Sequence, residues 1–156
     1  MQGKGRAVCL GADIDTDCII AGRYLRTKDH SIWVTHVFED LDTSLTNRLN
    51  GAVIVAGKNF GCGSSREQAA IAIRESGVIA VAAPSFARIF FRNAINVGLP
   101  LIGCQIPCHE GDIVKFDLAE GWVETQGKKY SVKPLSPRMQ EILAAGGLVT
   151  YMRART

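Results

Sequence analysis

Two hydroxyls and a guanidinium, Ser64-Ser65-Arg66, follow directly on Gly57-Lys58-Asn59-Phe60-Gly61-Cys62-Gly63, a stretch with three glycines in seven residues. Glycines let the backbone take positive φ and let a second molecule come close to the main chain. The apolar run Ala52–Ala56 before them reads as a buried strand, and the alanine-rich segment from Gln68 to Ser76 reads as a helix. At a helix start the free N–H groups and the dipole favour negative charge, which puts Ser64, Ser65 and Arg66 where a carboxylate or phosphate would bind. The same spacing serves structure equally well, because Ser64 with Glu67 three residues on makes a capping box. Two nucleotide loops do not fit. The mononucleotide loop needs Lys after its last glycine, where Ser64 stands, and the dinucleotide fingerprint needs a small residue where Arg66 stands.

A second chemical stretch is Asp13-Ile14-Asp15-Thr16-Asp17, whose carboxylates at alternate positions would project to one side if the chain is extended. A calcium loop would need a glycine next and a glutamate closing twelve residues, but Cys18 and Ile19 follow. Turn formation and hydrogen bonding to nearby arginines is the expected role. Cys62 could centre a thiol enzyme only with a base beside its sulfur. His30, His36 and His109 complete no recognisable catalytic or metal pattern.

The frame for these residues is modest in size. At 156 residues the chain is expected to form one domain that buries roughly two thirds of its unfolded surface. A net charge of +3 without a dense Lys/Arg run argues against nucleic acid as a partner. No apolar run approaches the ~20 residues that cross a bilayer, and the first residues lead into a strand, so the expected location is cytoplasmic. Five cysteines are an odd number for a disulfide framework and are expected to be reduced; Cys104 and Cys108 lack the partners of a tetrahedral metal site.

Along the chain, the periodicity predicts strands at Ala7–Leu10, Ala52–Ala56, Val78–Ala82 and Leu99–Ile102, separated by helices over 65–76 and 86–96. In the second helix Phe86, Ile89 and Phe90 share an apolar face, and Arg88 and Arg92 lie on another. Residues 21–50 read as a long exposed connection with a short helix over 31–38, of the kind that forms a lid or specificity loop, with Arg23 and Arg26 suited to an acidic ligand. From Glu110 the period becomes two, predicting an antiparallel meander over 113–118, 122–125 and 129–132 before a last helix opened by Pro137.

Asp13-Ile14-Asp15-Thr16-Asp17, Tyr24-Leu25-Arg26-Thr27, the stretch from Gly57 to Glu67, Ser85–Gly98 and Glu141–Gly147 together resemble the small subunit of the 3-isopropylmalate dehydratase and homoaconitase group of the aconitase superfamily. The resemblance covers nearly the whole chain in order. It implies an α/β fold, a swivelling β/β/α domain with a parallel strand-helix core and an antiparallel C-terminal meander, acting as half of an enzyme. The other half implied is a large subunit that holds a [4Fe-4S] cluster through its own cysteines, so the cysteines of this chain would not be cluster ligands. The implied reaction is dehydration and rehydration of a hydroxy di- or tricarboxylate. By resemblance Ser64 is the base, Ser65 hydrogen-bonds the substrate or the base, Arg66 pairs a substrate carboxylate, and Asp17 orients this group. Tyr24, Arg26 and Thr27 would contact the variable arm of the substrate. An arginine at position 26 suits a second carboxylate, as in homoaconitate, yet its apolar stem also accommodates an isopropyl group. An alternative of a different class is a module that binds a small anion on the glycine-rich turn and does no chemistry. The stoichiometry with the large subunit and any self-association of the chain alone stay open.

Overall fold

The computed structural model describes all 156 residues. Four strands run parallel: β1 (Gln2–Cys9), β2 (Ala52–Val55), β3 (Ala80–Ala83) and β4 (Leu101–Gly103). Three more, β5 (Ile113–Asp117), β6 (Trp122–Thr125) and β7 (Lys128–Ser131), extend the same sheet antiparallel, in the order β4-β3-β2-β1-β5-β6-β7. β1 joins the two halves. Its Arg6–Cys9 end pairs in parallel with Ala52–Val55, and its Gln2–Arg6 end pairs antiparallel with Asp117–Ile113. The strand therefore starts five residues earlier than hydrophobicity suggested, because the polar Gln2–Arg6 end is held by the ladder to β5 rather than by burial.

β2 and β3 are buried at every residue, so both faces of the parallel half are covered. Alternation along the strands deals their side chains to two cores. Ala52, Ile54, Val81, Ala83 and Leu101 face one, with Ile19, Trp33, Phe38, Phe60, Ile73 and Phe90. Val53, Val55, Ala80, Ala82 and Ile102 face the other, with Val114, Phe116, Val123, Ile142 and Leu143. β4 forms a sheet edge, which explains Pro100 beside it. β5 and β6 follow the predicted period of two, the edge strand β7 buries none of its residues, and the turn between β6 and β7 carries Gln126 and Gly127 both at positive φ.

Six helices pack on this sheet: α1 (Thr16–Ile19), α2 (His30–His36), α3 (Glu67–Glu75), α4 (Arg88–Asn96), α5 (Pro137–Ala144) and α6 (Leu148–Arg153). Both α3 and α4 begin two residues later than expected. For α4 the reason is a strand-like bridge between Phe60 and Phe86, in which Phe60 N donates to Ser85 O and Ala87 N to Phe60 O. Residues 21–50 are not an open connection. They hold 3₁₀ turns at Gly22–Tyr24 and Thr43–Asn47 around α2, and they bury Trp33, Val37, Phe38, Leu45 and Leu49. No helix is long and apolar enough to cross a membrane.

Candidate functional site

The glycine-rich loop is the middle of three extended segments beyond the ends of the parallel strands. On one side Gly57 N donates to Gly11 O, Asp13 N to Lys58 O, Gly61 N to Ile14 O and Thr16 N to Cys62 O, all between 2.7 and 3.0 Å. On the other side it meets Ser85–Ala87 through Asn59 N, which donates to Ser85 Oγ at 2.9 Å, and through the Phe60 bridge. Two glycines are required by these approaches. A Cβ on Gly57 would lie 2.8 Å from the Ala12 backbone, and one on Gly61, at φ +83°, would lie 2.2 Å from the Phe90 ring.

This packing delays α3. The capping box that the Ser64–Glu67 spacing allowed as an alternative does not form: Arg66 is the N-cap residue, no side chain caps the helix, and Ser64 stands two residues upstream. What holds Ser64 instead is Thr16, buried in the first turn of α1, whose Oγ1 donates to the Ser64 carbonyl at 2.7 Å. The backbone N–H groups from Gly63 to Gln68 find no acceptor in the chain. Ser64 and Ser65 are exposed, and neither hydroxyl has a protein partner.

These groups line a cleft of about 260 Å³. Thr16, Gly61, Gly63, Ser64, Ser65 and Arg66 form one wall; Ala87, Arg88, Ile89, Phe90 and Asn93, at the start of α4, form the other. Arg66 is only 16% exposed. It pairs with Asp17 and donates to Ile20 O at 3.0 Å, with Gly22 leaving room beside its guanidinium. Asp17 is thus brought to the site through Arg66. The three aspartates do not share a side, because Asp15 turns the chain by accepting from Cys18 N as the cap of α1 while Asp13 accepts from Asn59 Nδ2.

Tyr24, Arg26 and Thr27 are not among the lining residues. Tyr24 donates its hydroxyl to Glu39 at 2.7 Å and stacks on His36, and the Thr27 hydroxyl accepts from Asp29 N. Arg26 is exposed, with no ion pair, whereas Arg23 is taken up by Glu39 and Asp40. Sequence reasoning missed Thr16, Arg88 and Asn93 as cleft residues. The one available signal was the polar stripe on α4, and nothing local says that the sheet carries its start against the glycine loop.

All five cysteines are free. Burial, with Asp15 and Asp13 nearby, pushes the Cys62 thiol up, which opposes the thiolate that a Cys62-centred enzyme would need. No three His, Cys, Asp or Glu side chains converge on a common point, so the donor set of this chain does not fit a metal ion or an iron–sulfur cluster. A larger hollow of about 470 Å³ lies on the antiparallel half, but Lys4, Lys115, Asp112 and Glu124 give it both signs of charge, and its Thr125 hydroxyl is engaged with Cys108.

The Aconitase C-terminal domain family matches residues 15–104. The 3-isopropylmalate dehydratase small subunit of Thermodesulfovibrio yellowstonii is 49% identical over 99% of this chain and 96% of its own. The methanogen homoaconitase small subunit of Methanocaldococcus jannaschii is 51% identical over 97% and 92%. The crystal structure of 3-isopropylmalate dehydratase (LeuD) from Methanocaldococcus jannaschii superposes with a TM-score of 0.94 at 48% identity, covering 99% of this chain and 95% of that one. With identity of this order sustained end to end and the family match centred on the loop and its flanking strands, the chain belongs to the aconitase C-terminal domain family, in the group of 3-isopropylmalate dehydratase and homoaconitase small subunits.

Proposed function

We propose that the chain is the small subunit of a heteromeric hydro-lyase, 3-isopropylmalate dehydratase or the related homoaconitase, that isomerises a hydroxy di- or tricarboxylate by dehydration and rehydration. The whole chain, residues 1–156, acts as one swivelling domain in the cytoplasm. The observation that carries this reading is the pair of unpartnered hydroxyls, Ser64 and Ser65, on a cleft wall rich in free N–H groups and flanked by arginine. The [4Fe-4S] cluster belongs to the large subunit, where it supplies a Lewis acid for the leaving hydroxyl. This chain supplies the base and part of the carboxylate binding.

Ser64 Oγ accepts the proton from the carbon next to the one that carries the hydroxyl, and returns it in the reverse sense on rehydration. A serine hydroxyl is far too weak an acid to ionise unaided in water. Here the N–H groups after Gly63, the start of α3 and the Arg66 guanidinium offset the charge on its oxygen, by the logic of an oxyanion hole. Ser65 hydrogen-bonds the substrate. Arg66, aimed by Asp17 and Ile20 O, pairs a substrate carboxylate with its planar fork. Tyr24, Arg26 and Thr27 belong to a segment that meets the variable arm of the substrate, and the free Arg26 charge is suited to an extra carboxylate there.

The test is reconstitution with an iron–sulfur large subunit. The complex is expected to turn over isopropylmalate or homoaconitate, to lose at least about a thousandfold in kcat on Ser64→Ala, and to shift its preference toward isopropylmalate on Arg26→Val. Turnover at the original rate by the Ser64→Ala complex would sink the assignment of the base.

A further inference from the structure

Two cations line the cleft, and they are not equivalent. Arg66 already answers Asp17 and the Ile20 carbonyl. Arg88, the first residue of α4, is exposed and makes neither an ion pair nor a side-chain hydrogen bond within the chain. No Asp or Glu lines the cleft, and α4 has neither an acidic residue in its first turn nor a capping side chain. The charge of Arg88 is therefore unanswered. Around it the helix wall is largely apolar, with Ala87, the buried Phe90 and Ile89, which is 50% exposed, and Asn93 is its one neutral polar side chain. When a partner subunit closes over such a wall the guanidinium loses water, and that desolvation is costly unless an anion meets it.

We propose that Arg88 is a second carboxylate-binding residue of the cleft, holding a substrate carboxylate other than the one paired by Arg66. This deepens, and rests on, the reading of the cleft as a hydroxy-dicarboxylate site. Arg66 follows the glycine loop and Arg88 opens α4, so two cations from separate elements line one cleft, one for each charge of a small diacid. A guanidinium meets a carboxylate with two parallel N–H donors, which fixes orientation as well as charge.

The test uses the two-subunit enzyme with Arg88→Met and Arg88→Lys, with subunit affinity measured separately by titrating the large subunit. Arg88→Met is expected to raise KM about 30-fold or more with kcat within about threefold, as loss of one partner of a desolvated charge pair does. Arg88→Lys falls between, and subunit affinity stays within about twofold because the role is toward substrate. A competitive dicarboxylate inhibitor and its two half-esters locate the contact. One half-ester should cost about 30-fold in the original enzyme and less than about threefold in Arg88→Met. An unchanged KM in Arg88→Met overturns the assignment, and so does a raised KM that returns to normal at saturating large subunit, which would make Arg88 a docking residue. If Ser64→Ala turns over normally, the cleft reading itself falls, whatever Arg88 does.

Discussion

Thr16 Oγ1 donates a 2.7 Å hydrogen bond to the carbonyl oxygen of Ser64 across 48 residues of sequence. Thr16 is 2% exposed, so the bond is shielded from water on one side. It fixes the backbone of the residue whose hydroxyl faces the cleft, and no helix cap does that work instead. Thr16→Val keeps the shape and removes the donor. The expected cost is about 1 kcal/mol of stability, or about 3 °C in Tm for a chain of this size. The kcat of the reconstituted enzyme should fall about tenfold, equivalent to about 1.4 kcal/mol of misplacement. Thr16→Ser should restore both, and an unimpaired Thr16→Val enzyme would show that the bond does not position Ser64.

Gly61 and Gly127 both have positive φ, but only one is crowded. A Cβ on Gly61 would meet Phe90 at 2.2 Å, whereas Gly127 has nothing within 4 Å. Gly127→Ala should therefore cost only the left-handed backbone penalty, about 1 kcal/mol. Gly61→Ala adds overpacking against a buried ring, for about 3 kcal/mol or more in total. Urea titration of the two variants separates these contributions, and equal midpoints would mean that Phe90 yields without cost.

Glu39 ties residues 21–40 together. His36, Tyr24 and Arg23 all converge on its carboxylate, and their hydrogen bonds hold its pKa down to about 2. A carboxylate whose folded pKa is depressed contributes stability that is present above the unfolded value, about 4.3, and is lost as pH falls from there toward 2. Amide exchange over Tyr24–Glu39 should speed up across that window ahead of the sheet. Glu39→Gln should exchange fast at neutral pH and lose most of the acid dependence. Identical exchange profiles in the two proteins would remove Glu39 from this role.

The sheet could be read from the sequence where burial alone decides the conformation. Ala52–Val55 and Ala80–Ala83 are continuous apolar runs because both faces are covered, and Ile113–Asp117 alternates because one face is not. Failures occurred where a distant partner overrides the local signal. Ser64 and Glu67 satisfy the capping-box pattern, yet Thr16 captures the Ser64 carbonyl and the helix starts later. Phe86 fits the apolar face of α4, yet it pairs with Phe60 as a strand would. Residues 21–50 lack a period because their buried side chains, Trp33, Phe38, Leu45 and Leu49, come from short helices and turns, none long enough to show one. Arg88 enters the cleft only because the third parallel strand delivers the start of α4 beside the glycine loop, a consequence of strand order that no local window contains.

Arg66 and Asp17 form a pair with unequal exposure, 16% for the arginine side chain and 63% for the aspartate. A pair open on one side contributes little to folding, about 0–1 kcal/mol, so neither Asp17→Asn nor Arg66→Lys should shift Tm by more than about 3 °C. Under the proposed roles their effect falls on turnover instead. Lysine carries the charge but lacks the planar fork that reaches Ile20 O and Asp17 together and leaves further donors for the proposed substrate carboxylate. Arg66→Lys is expected to lower kcat/KM about 100-fold, or about 2.7 kcal/mol, and Asp17→Asn about tenfold. If Asp17 acts by orienting Arg66, adding Asp17→Asn to Arg66→Lys should cost little more, giving a coupling of about 1 kcal/mol in the double-mutant cycle. Strict additivity would mean that Asp17 has its own contact with the reacting groups, and the orienting role would have to be abandoned.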